Sequence, residues 1–239
     1  MIENIINNVS YPELFLLTVA YFGVLYLIVG PLFLAVCKFL ESKNVLYKIV
    51  NKKVSRKQLK FEIKHSLKSI LIFGFSSFPI IYLIKDNSIE LLPDTAVNII
   101  IGVLILNAWN EVHFFAVHRT MHLPYFLKHV HKIHHKSNVP TVYSVYSFHW
   151  FEALLLSTVP ITIIPFVSFS PLAIGIYPLT SILINFAGHC NYRFGHGIGY
   201  SWLLFGTHHN QHHFNFKQNF GFATPILDKI FGSKKRSKK

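Results

Sequence analysis

The sequence predicts an all-α integral membrane protein, in which a bundle of apolar helices carries a cytosolic helical cap with clustered histidines. Of the 239 residues, 51% are hydrophobic and only 14% are charged, whereas a soluble domain usually carries about 25% charged residues. The mean hydropathy is +0.40, and several apolar runs are long enough to cross a bilayer. Ten of the 15 histidines fall within 118–135 and 208–213. We therefore expect a single membrane domain over 1–239.

Four apolar stretches are candidates for crossing the membrane. Residues 12–37, 66–84 and 95–117 each have the length of one spanning helix, since about 20 apolar residues cross ~30 Å of hydrocarbon. The first stretch has neither a basic segment before it nor a cleavage site after it, so we expect a retained span. Residues 150–187 are interrupted by prolines and predict either a hairpin that crosses twice or a re-entrant pair.

The charges between these stretches predict the orientation of the chain. Nine lysines and arginines lie in 38–64, whereas 85–94 contains Lys85 against three acidic residues. By the positive-inside rule, 38–64 faces the cytosol and 85–94 the opposite side. The third span then returns to the cytosol where the histidines begin. The net charge of +13 is thus interpreted as a topology signal and a lipid-headgroup contact, not as a nucleic-acid site.

The histidines recur at spacings that bring imidazoles together on one face of a helix. The spacing is i, i+4 or i, i+3, i+4 in three clusters. The clusters are His118 and His122; His131, His134 and His135; and His209, His212 and His213. Neutral imidazole is the commonest metal ligand. Because a tetrahedral zinc site closes at four ligands, these eight histidines predict two metal ions.

Other functions remain alternatives at this point. A transition-metal transporter or a metal-binding membrane protein would place ionisable ligands along a path inside the spans, but the clustered histidines gather at one face. Metal-assisted hydrolysis would require a general base such as the Glu of an HExxH motif, which the sequence lacks. His65, His113, His129 and His196 stand outside the repeated spacing, and we interpret them as hydrogen-bonded or interfacial residues. The two cysteines, Cys37 and Cys190, do not predict a disulfide framework.

At these motifs, from about residue 95 to 232, the sequence resembles the fatty acid hydroxylase/sterol desaturase superfamily of membrane di-iron enzymes. HRTMH at 118–122 is similar to its HxxxH box, and HKIHH at 131–135 and the end of HHNQHH at 208–213 to its HxxHH boxes. SFHWFEALL at 147–155 resembles the His-x-x-Glu stretch of that family. NFGFATPILDKIFGS at 219–233 resembles its terminal signature.

The resemblance implies a set of metal ligands and their cofactor. The cofactor would be two iron ions, with zinc as a substitute in purified protein. His189, in AGHCNY, matches the isolated histidine between the second and third boxes. The implied ligands are His118, His122, His131, His134, His135, His189, His209, His212 and His213. His149 and His208 would orient ligands, and Cys190 would be a small buried residue.

The resemblance also implies the activity and the partners. The chain would hydroxylate or desaturate a lipid, such as a sterol, a fatty acyl chain or a sphingolipid, by using O2. No dinucleotide-binding motif is present, so electrons would come from an external donor, cytochrome b5 with its reductase or a ferredoxin. The basic segment 38–64 could dock such a donor, although its topological role is the simpler interpretation. The membrane would be the endoplasmic reticulum in a eukaryote or the inner membrane in a bacterium.

Overall fold

The computed structural model describes residues 2–195 and 206–232, and the described chain is mostly helical. The first elements are α1 (Ile2–Asn8), α2 (Tyr11–Val24), a π-helical turn (Leu25–Val29), α3 (Gly30–Ser42), β1 (Leu46–Lys48), α4 (Arg56–Ser76) and α5 (Phe78–Lys85). Then come α6 (Ala96–Met121), α7 (Pro124–His129), two 3₁₀ helices (His131–Lys136 and Val142–Ser144) and α8 (Trp150–Leu156). The last are α9 (Pro171–His189), β2 (Tyr192–Phe194), α10 (Thr207–Phe214) and α11 (Ile226–Ile230). This architecture confirms the all-α membrane bundle.

Four helical segments of the described chain are long and apolar enough to span a membrane: Tyr11–Ser42, Arg56–Lys85, Ala96–Met121 and Pro171–His189. They extend beyond the apolar windows predicted from the sequence, because a helix continues through charged turns that leave the hydrocarbon. The second begins ten residues before the predicted 66, within the basic segment. Of the predicted 150–187 hairpin, only the second arm is long enough to span. The first arm is the short helix α8 followed by turns.

Prolines and capping residues account for the ends and interruptions of these helices. Pro79 lies in the first turn of α5 and marks its separation from α4, because a proline has no N–H with which to continue the hydrogen bonds of the preceding helix. The Ser170 side chain accepts a hydrogen bond from the Ala173 amide, and Pro171 occupies the first turn of α9. A proline is well tolerated there, since the first amides of a helix have no internal partner.

The helices approach closely where small residues allow it. A side chain at Gly102 of α6 would lie 2.8 Å from the Cβ of Ala173 in α9, and one at Gly74 of α4 would lie 2.7 Å from Phe15 in α2. Small residues serve this purpose in membrane helix packing. Large apolar side chains such as Leu32 and Leu104 remain at least 60% exposed, which is expected of a surface covered by lipid.

The connections gather at two opposite ends of the bundle. At one end, β1 pairs antiparallel with β2, so that Leu46 lies opposite Phe194. At the other end, the Lys85 ammonium donates to the Val9 carbonyl at 2.7 Å, and the Leu172 amide donates to Asp94 at 2.9 Å. The histidine-bearing ends of α6 and α9 lie at the end with the ribbon. The basic segment 38–64 and the acidic segment 85–94 therefore lie at opposite ends.

Candidate metal centre

The end of α6 contributes the first two histidines. His118 is buried in its last turn, and His122 follows directly after the helix. The ring centroids of the two lie 5.0 Å apart, as the i, i+4 spacing predicts. Thr95 caps the start of this helix by accepting a hydrogen bond from the Asn98 amide.

The second and third motifs are short helices placed against α6 and α9. His131, His134 and His135 are buried in the 3₁₀ helix, and His209, His212 and His213 are buried in α10. Gly206 precedes α10 with φ of +72°, and a side chain there would lie 2.4 Å from the Tyr192 carbonyl oxygen. Only glycine therefore allows α10 to pack this closely on the β-ribbon. His189, at the end of α9, completes the set.

The nine histidines predicted from the sequence lie together and form two groups. Within each group, the ring nitrogens available for ligation lie within 4.8 Å of one another. Group A is His118, His122, His131, His135 and His212. Group B is His134, His189, His209 and His213.

The division differs from the sequence-based expectation that each cluster forms its own patch. In both HxxHH motifs the first and last histidines enter one group and the middle histidine enters the other. In the α-helix α10, residues i and i+4 lie about 40° apart around the axis, whereas i+3 and i+4 lie about 100° apart. His209 and His213 therefore point to group B, and His212 points to group A.

Hydrogen bonds at the outer ring nitrogens fix the orientation of four histidines. His118 Nδ1 lies 2.9 Å from the Phe220 carbonyl, His212 Nδ1 lies 2.7 Å from the Gln218 carbonyl, and His189 Nδ1 lies 3.0 Å from the Asn185 carbonyl. A carbonyl only accepts, so we assign the proton of each ring to Nδ1. His131 Nδ1 similarly lies 2.6 Å from Glu152 Oε1. Each Nε2 atom then presents a lone pair.

These Nε2 atoms lie so close to one another that hydrogen bonds between the rings cannot satisfy every lone pair. His135 Nε2 lies 3.0 Å from His131 Nε2 and 3.3 Å from His212 Nε2. One ring nitrogen carries at most one proton, so His135 satisfies at most one of these two lone pairs. His118 Nε2 is buried with no hydrogen-bond partner among the described residues. In group B, His209 Nε2 and His213 Nε2 are 3.2 Å apart. A cation in each group would satisfy all of these lone pairs, so the residues fit a pair of metal ions.

The environment also keeps the imidazoles in the form that binds metals. Burial, with a smaller contribution from neighbouring imidazoles, lowers the pKa of six histidines outside the spanning segments below the usual 6.5. The pKa is lowered in this way for His122, His134, His135, His209, His212 and His213. Metal ligation requires the neutral ring, and these histidines are neutral at pH 7.

Three carboxylates support the centre from outside the two groups, a role that charge and spacing alone did not predict. Glu152 orients His131, as described above. Asp228 accepts the amides of Phe220 and Gly221 at 2.9 and 2.8 Å, which holds the Phe220 carbonyl against His118. Glu111 accepts the amide of Ala223 at 2.7 Å, and this contact ties the same turn to α6. For Glu152 and Asp228 the sequence signal was their position in the family-like stretches 147–155 and 219–233, whereas Glu111 lies in neither stretch.

Among the residues that the structure describes, the remaining histidines lie outside both groups. His149 accepts the Phe151 amide through Nδ1 at 3.3 Å and so caps α8. His65 and His113 bond to Phe61 and Thr158, in agreement with their interpretation as hydrogen-bonded residues. The backbone carbonyl of His208 accepts from Asn219 at 3.2 Å, and His196 lies outside the described residues. Cys190 is buried, as expected.

A cavity of about 700 Å³ lies inside the bundle next to the metal centre, although none of the nine histidines lines it. Phe148 and Phe114 line its upper end, and their rings lie 5.0 Å from His134 and 4.9 Å from His118. Pro171 and Ile84 line its lower end. The volume is within the range of roughly 300–1,000 Å³ typical of sites for small molecules. The cavity is long enough for an extended apolar ligand, because 14 residues of α9 separate Pro171 from Asn185, about 21 Å of helix.

The fold and the site together define a helical membrane protein with a histidine-rich centre suited to two metal ions, placed at the head of an apolar cavity. The family model for fatty acid hydroxylases matches residues 103–233, more than half of the chain. The chain therefore belongs to the fatty acid hydroxylase family.

Named relatives support the same assignment. A probable Delta(7)-sterol 5(6)-desaturase of Neurospora crassa is 27% identical over 76% of this chain and 53% of its own length. Lathosterol oxidase of Rattus norvegicus is 28% identical over 59% and 47%. Fatty acid hydroxylase domain-containing protein 2 of Homo sapiens is 29% identical over 56% and 38%. The chain thus spans about half the length of the curated relatives it matches. No solved structure matches it significantly.

Proposed function

We propose that this protein is a membrane-bound di-iron oxygenase that hydroxylates or desaturates a lipid by using O2 and external electrons. The observation that carries the proposal is the position of two groups of clustered histidines next to an apolar cavity. Groups A and B would each hold one iron ion through their ring nitrogens. Iron, when bound, supplies the redox chemistry that activates O2, which zinc lacks.

The residues of the chain would contribute orientation and exclusion of water. The carbonyls of Phe220, Gln218 and Asn185 hold three imidazoles in the tautomer whose Nε2 points inward. Such supporting hydrogen bonds tune metal affinity. Phe148 and Phe114 form apolar walls between the centre and the cavity. They would place the apolar part of the substrate near the metals and keep bulk water away from it.

The names of the relatives support a lipid as the substrate, since they include a sterol desaturase and lathosterol oxidase. The electron donor would be cytochrome b5 with its reductase, or a ferredoxin, at the end of the bundle that carries the basic segment 38–64. We also propose that this end faces the cytosol, by the positive-inside rule. The membrane would be the endoplasmic reticulum in a eukaryote or the inner membrane in a bacterium, and 1–239 would act as one domain.

The experiment that tests the function compares lipid turnover with and without oxygen. Membranes containing the protein are supplied with a reductase system, NADPH and labelled sterols, ceramides and acyl lipids, and the products are analysed by mass spectrometry. We expect a product only in the presence of O2, and a hydroxylated product formed under 18O2 should carry the heavy atom. His212→Ala should abolish turnover, whereas His65→Ala should retain it. Turnover that persists under strict anaerobiosis contradicts the proposal.

A further inference from the structure

Asn191 lies two residues beyond the group B histidine His189, where α9 ends and the chain turns into β2. Its backbone has φ of +62°, in the left-handed region that glycine and asparagine adopt more readily than other residues. A residue in this conformation commonly ends an α-helix, and it is most often glycine. The backbone would thus accept glycine at position 191, so any further role of Asn191 lies in its side chain.

The Asn191 side chain pairs with the backbone of Val50, in the basic segment that follows β1. Its Oδ1 accepts a hydrogen bond from the Val50 N–H at 3.0 Å, and its Nδ2 donates to the Val50 carbonyl at 2.9 Å. Because one contact requires an oxygen and the other an N–H, the pair fixes the orientation of the amide. The Asn191 carbonyl also accepts from the Ile49 N–H at 3.0 Å. The end of α9 is therefore anchored to a segment that is distant in the sequence.

The same side-chain oxygen contacts α10 within the third histidine motif. Asn210 is the residue after His209, and its Nδ2 lies 3.4 Å from Asn191 Oδ1. Asn210 is 0% exposed, and its own Oδ1 has no hydrogen-bond partner among the residues that the structure describes. A buried amide oxygen without a partner is unfavourable. An apolar residue would avoid this cost, which favours a role of Asn210 in placing α10 rather than in stabilising the fold.

Close packing at the start of α10 supports this placement. A side chain at Gly206, which precedes α10, would lie 2.4 Å from the Tyr192 carbonyl oxygen and 2.9 Å from Ile49 Cδ1. Tyr192 follows Asn191 in the chain, and Ile49 precedes Val50. The start of α10 thus rests on the same part of the β-ribbon that holds the end of α9.

Group B depends on this arrangement more than group A does. It takes His189 from the end of α9 and both His209 and His213 from α10. Group A takes only His212 from these two helices, and its four other histidines come from elsewhere. A shift of α10 relative to α9 would therefore change most of the distances within group B, whereas four members of group A would stay in place.

From these observations we propose that Asn191 is a positioning residue that sets the geometry of group B, because its side chain holds the end of α9, α10 and the basic segment in one arrangement. The inference rests on the proposed function insofar as group B is a metal site of that centre. It concerns metal binding, however, and does not depend on turnover.

The test is cobalt(II) binding to the purified metal-free protein in detergent, at a series of buffered free cobalt concentrations. Cobalt is the probe because its visible absorption depends on the geometry of its ligands. Asn191→Gly retains the backbone conformation and removes the side-chain contacts. We expect it to weaken the binding of one of the two ions about tenfold, as for other residues that support metal ligands, and to change the spectrum of that ion.

Asn87→Gly is the matched control. Asn87 also has a positive φ, of +52°, but it is exposed and lies at the opposite end of the bundle. This variant makes the same substitution in the same backbone conformation, away from the histidines. It should bind both cobalt ions as the unmodified protein does.

Variants that disrupt one group show which ion is affected. In a His118→Ala background, which lacks one histidine of group A, Asn191→Gly should lower the cobalt affinity about tenfold. In a His213→Ala background, which lacks one histidine of group B, the change should be less than about twofold. Asn210→Ala removes the α10 side of the contact and should weaken the same ion. The double variant of Asn191→Gly and Asn210→Ala should lose little more than Asn191→Gly alone, because the two residues act through one contact.

The proposal is overturned if Asn191→Gly binds both ions as tightly as the unmodified protein. It is also overturned if Asn191→Gly weakens cobalt binding equally in the two backgrounds, since a general loss of stability would do the same. If Asn191→Gly does not fold, Asn210→Ala decides the question, and unchanged cobalt binding in that variant contradicts the proposal. A protein with the selective effect but no oxygen-dependent turnover would refute the proposed function and leave the role of Asn191 standing.

Discussion

His131 Nδ1 lies 2.6 Å from Glu152 Oε1, and both side chains are at most 2% exposed. This is a buried carboxylate–imidazole pair that links the second histidine motif to α8. A carboxylate in this position fixes the tautomer of a ligand histidine and increases its basicity. Glu152 is thus a positioning residue for group A, although it contributes no atom to either group.

Glu152→Ala should lower metal affinity or activity by about 10- to 100-fold, the usual effect of removing such a partner. Glu152→Gln retains an oxygen acceptor without the charge and should lose less. Competition with a chelator measures the affinity, and Glu90→Ala, at the opposite end of the bundle, serves as the control. Wild-type affinity in both Glu152 variants would show that the contact does not support the metal centre.

The two groups predict two metal ions per chain. Protein purified without metal exchange should contain about two iron ions by elemental analysis, or two zinc ions that replaced them on overexpression. His212→Ala in group A and His209→Ala in group B should each reduce the content to about one or below. His65→Ala should retain two. A content near one in the unmodified protein would contradict the dinuclear interpretation.

The burial of the histidines predicts that stability falls in acid. The folded-state pKa of His134, His135 and His212 is lowered, whereas in the unfolded chain it is about 6.5. Below that pH the unfolded state binds protons that the folded state does not. Each such histidine therefore removes up to about 1.4 kcal/mol of unfolding free energy per pH unit below 6.5.

Thermal unfolding of the metal-free protein in detergent, measured between pH 7.5 and 5.5, checks this expectation. The midpoint should decrease as the pH is lowered, and proton uptake on unfolding should increase. Bound metal should enlarge the effect, because ligation requires neutral imidazoles. A midpoint that is constant or rises toward pH 5.5 would show that the histidines are accessible to protons in the folded state.

The orientation in the membrane is tested by cysteine labelling. Lys53→Cys and Asn87→Cys introduce exposed thiols at opposite ends of the bundle, and both native cysteines are buried, so their background should be low. In sealed right-side-out cells, an impermeant maleimide should label position 87 in a bacterial inner membrane and leave position 53 unlabelled. In microsomes, which expose the cytosolic face, position 53 should be labelled. The reverse pattern would invert the orientation inferred from the positive-inside rule.

The sequence predicted the fold class and eight of the nine histidines, because hydrophobic runs and histidine spacing are local properties. The ninth, His189, was implied only by the family resemblance. The division of each HxxHH motif between groups A and B was not predictable. It depends on how α6, α9 and α10 are placed relative to one another, which is a tertiary relationship. The sequence also did not predict that the carbonyls of Phe220 and Gln218 bind imidazoles. Every residue has a carbonyl, and only the fold determines which of them lies next to a histidine.

The boundaries of the spanning helices also could not be predicted from hydropathy alone. Hydropathy locates the hydrocarbon-facing part of α4, but the helix starts at Arg56, where Ser55 accepts the Gln58 amide at 3.1 Å. Capping hydrogen bonds are independent of the membrane. The first arm of the predicted 150–187 hairpin contains Pro160 and Pro165, and it forms turns where composition alone allowed a second crossing.

The division of the two HxxHH motifs has a consequence for how this centre could arise or be redesigned. Each motif supplies histidines to both groups, so neither group is built from a single segment of chain. Shifting either motif by one residue would misplace ligands on both sides together. A one-metal version of this scaffold cannot be obtained by deleting a loop or a helix. It would require substitutions scattered through three separate stretches, so the pair of sites is inherited, or lost, as a unit.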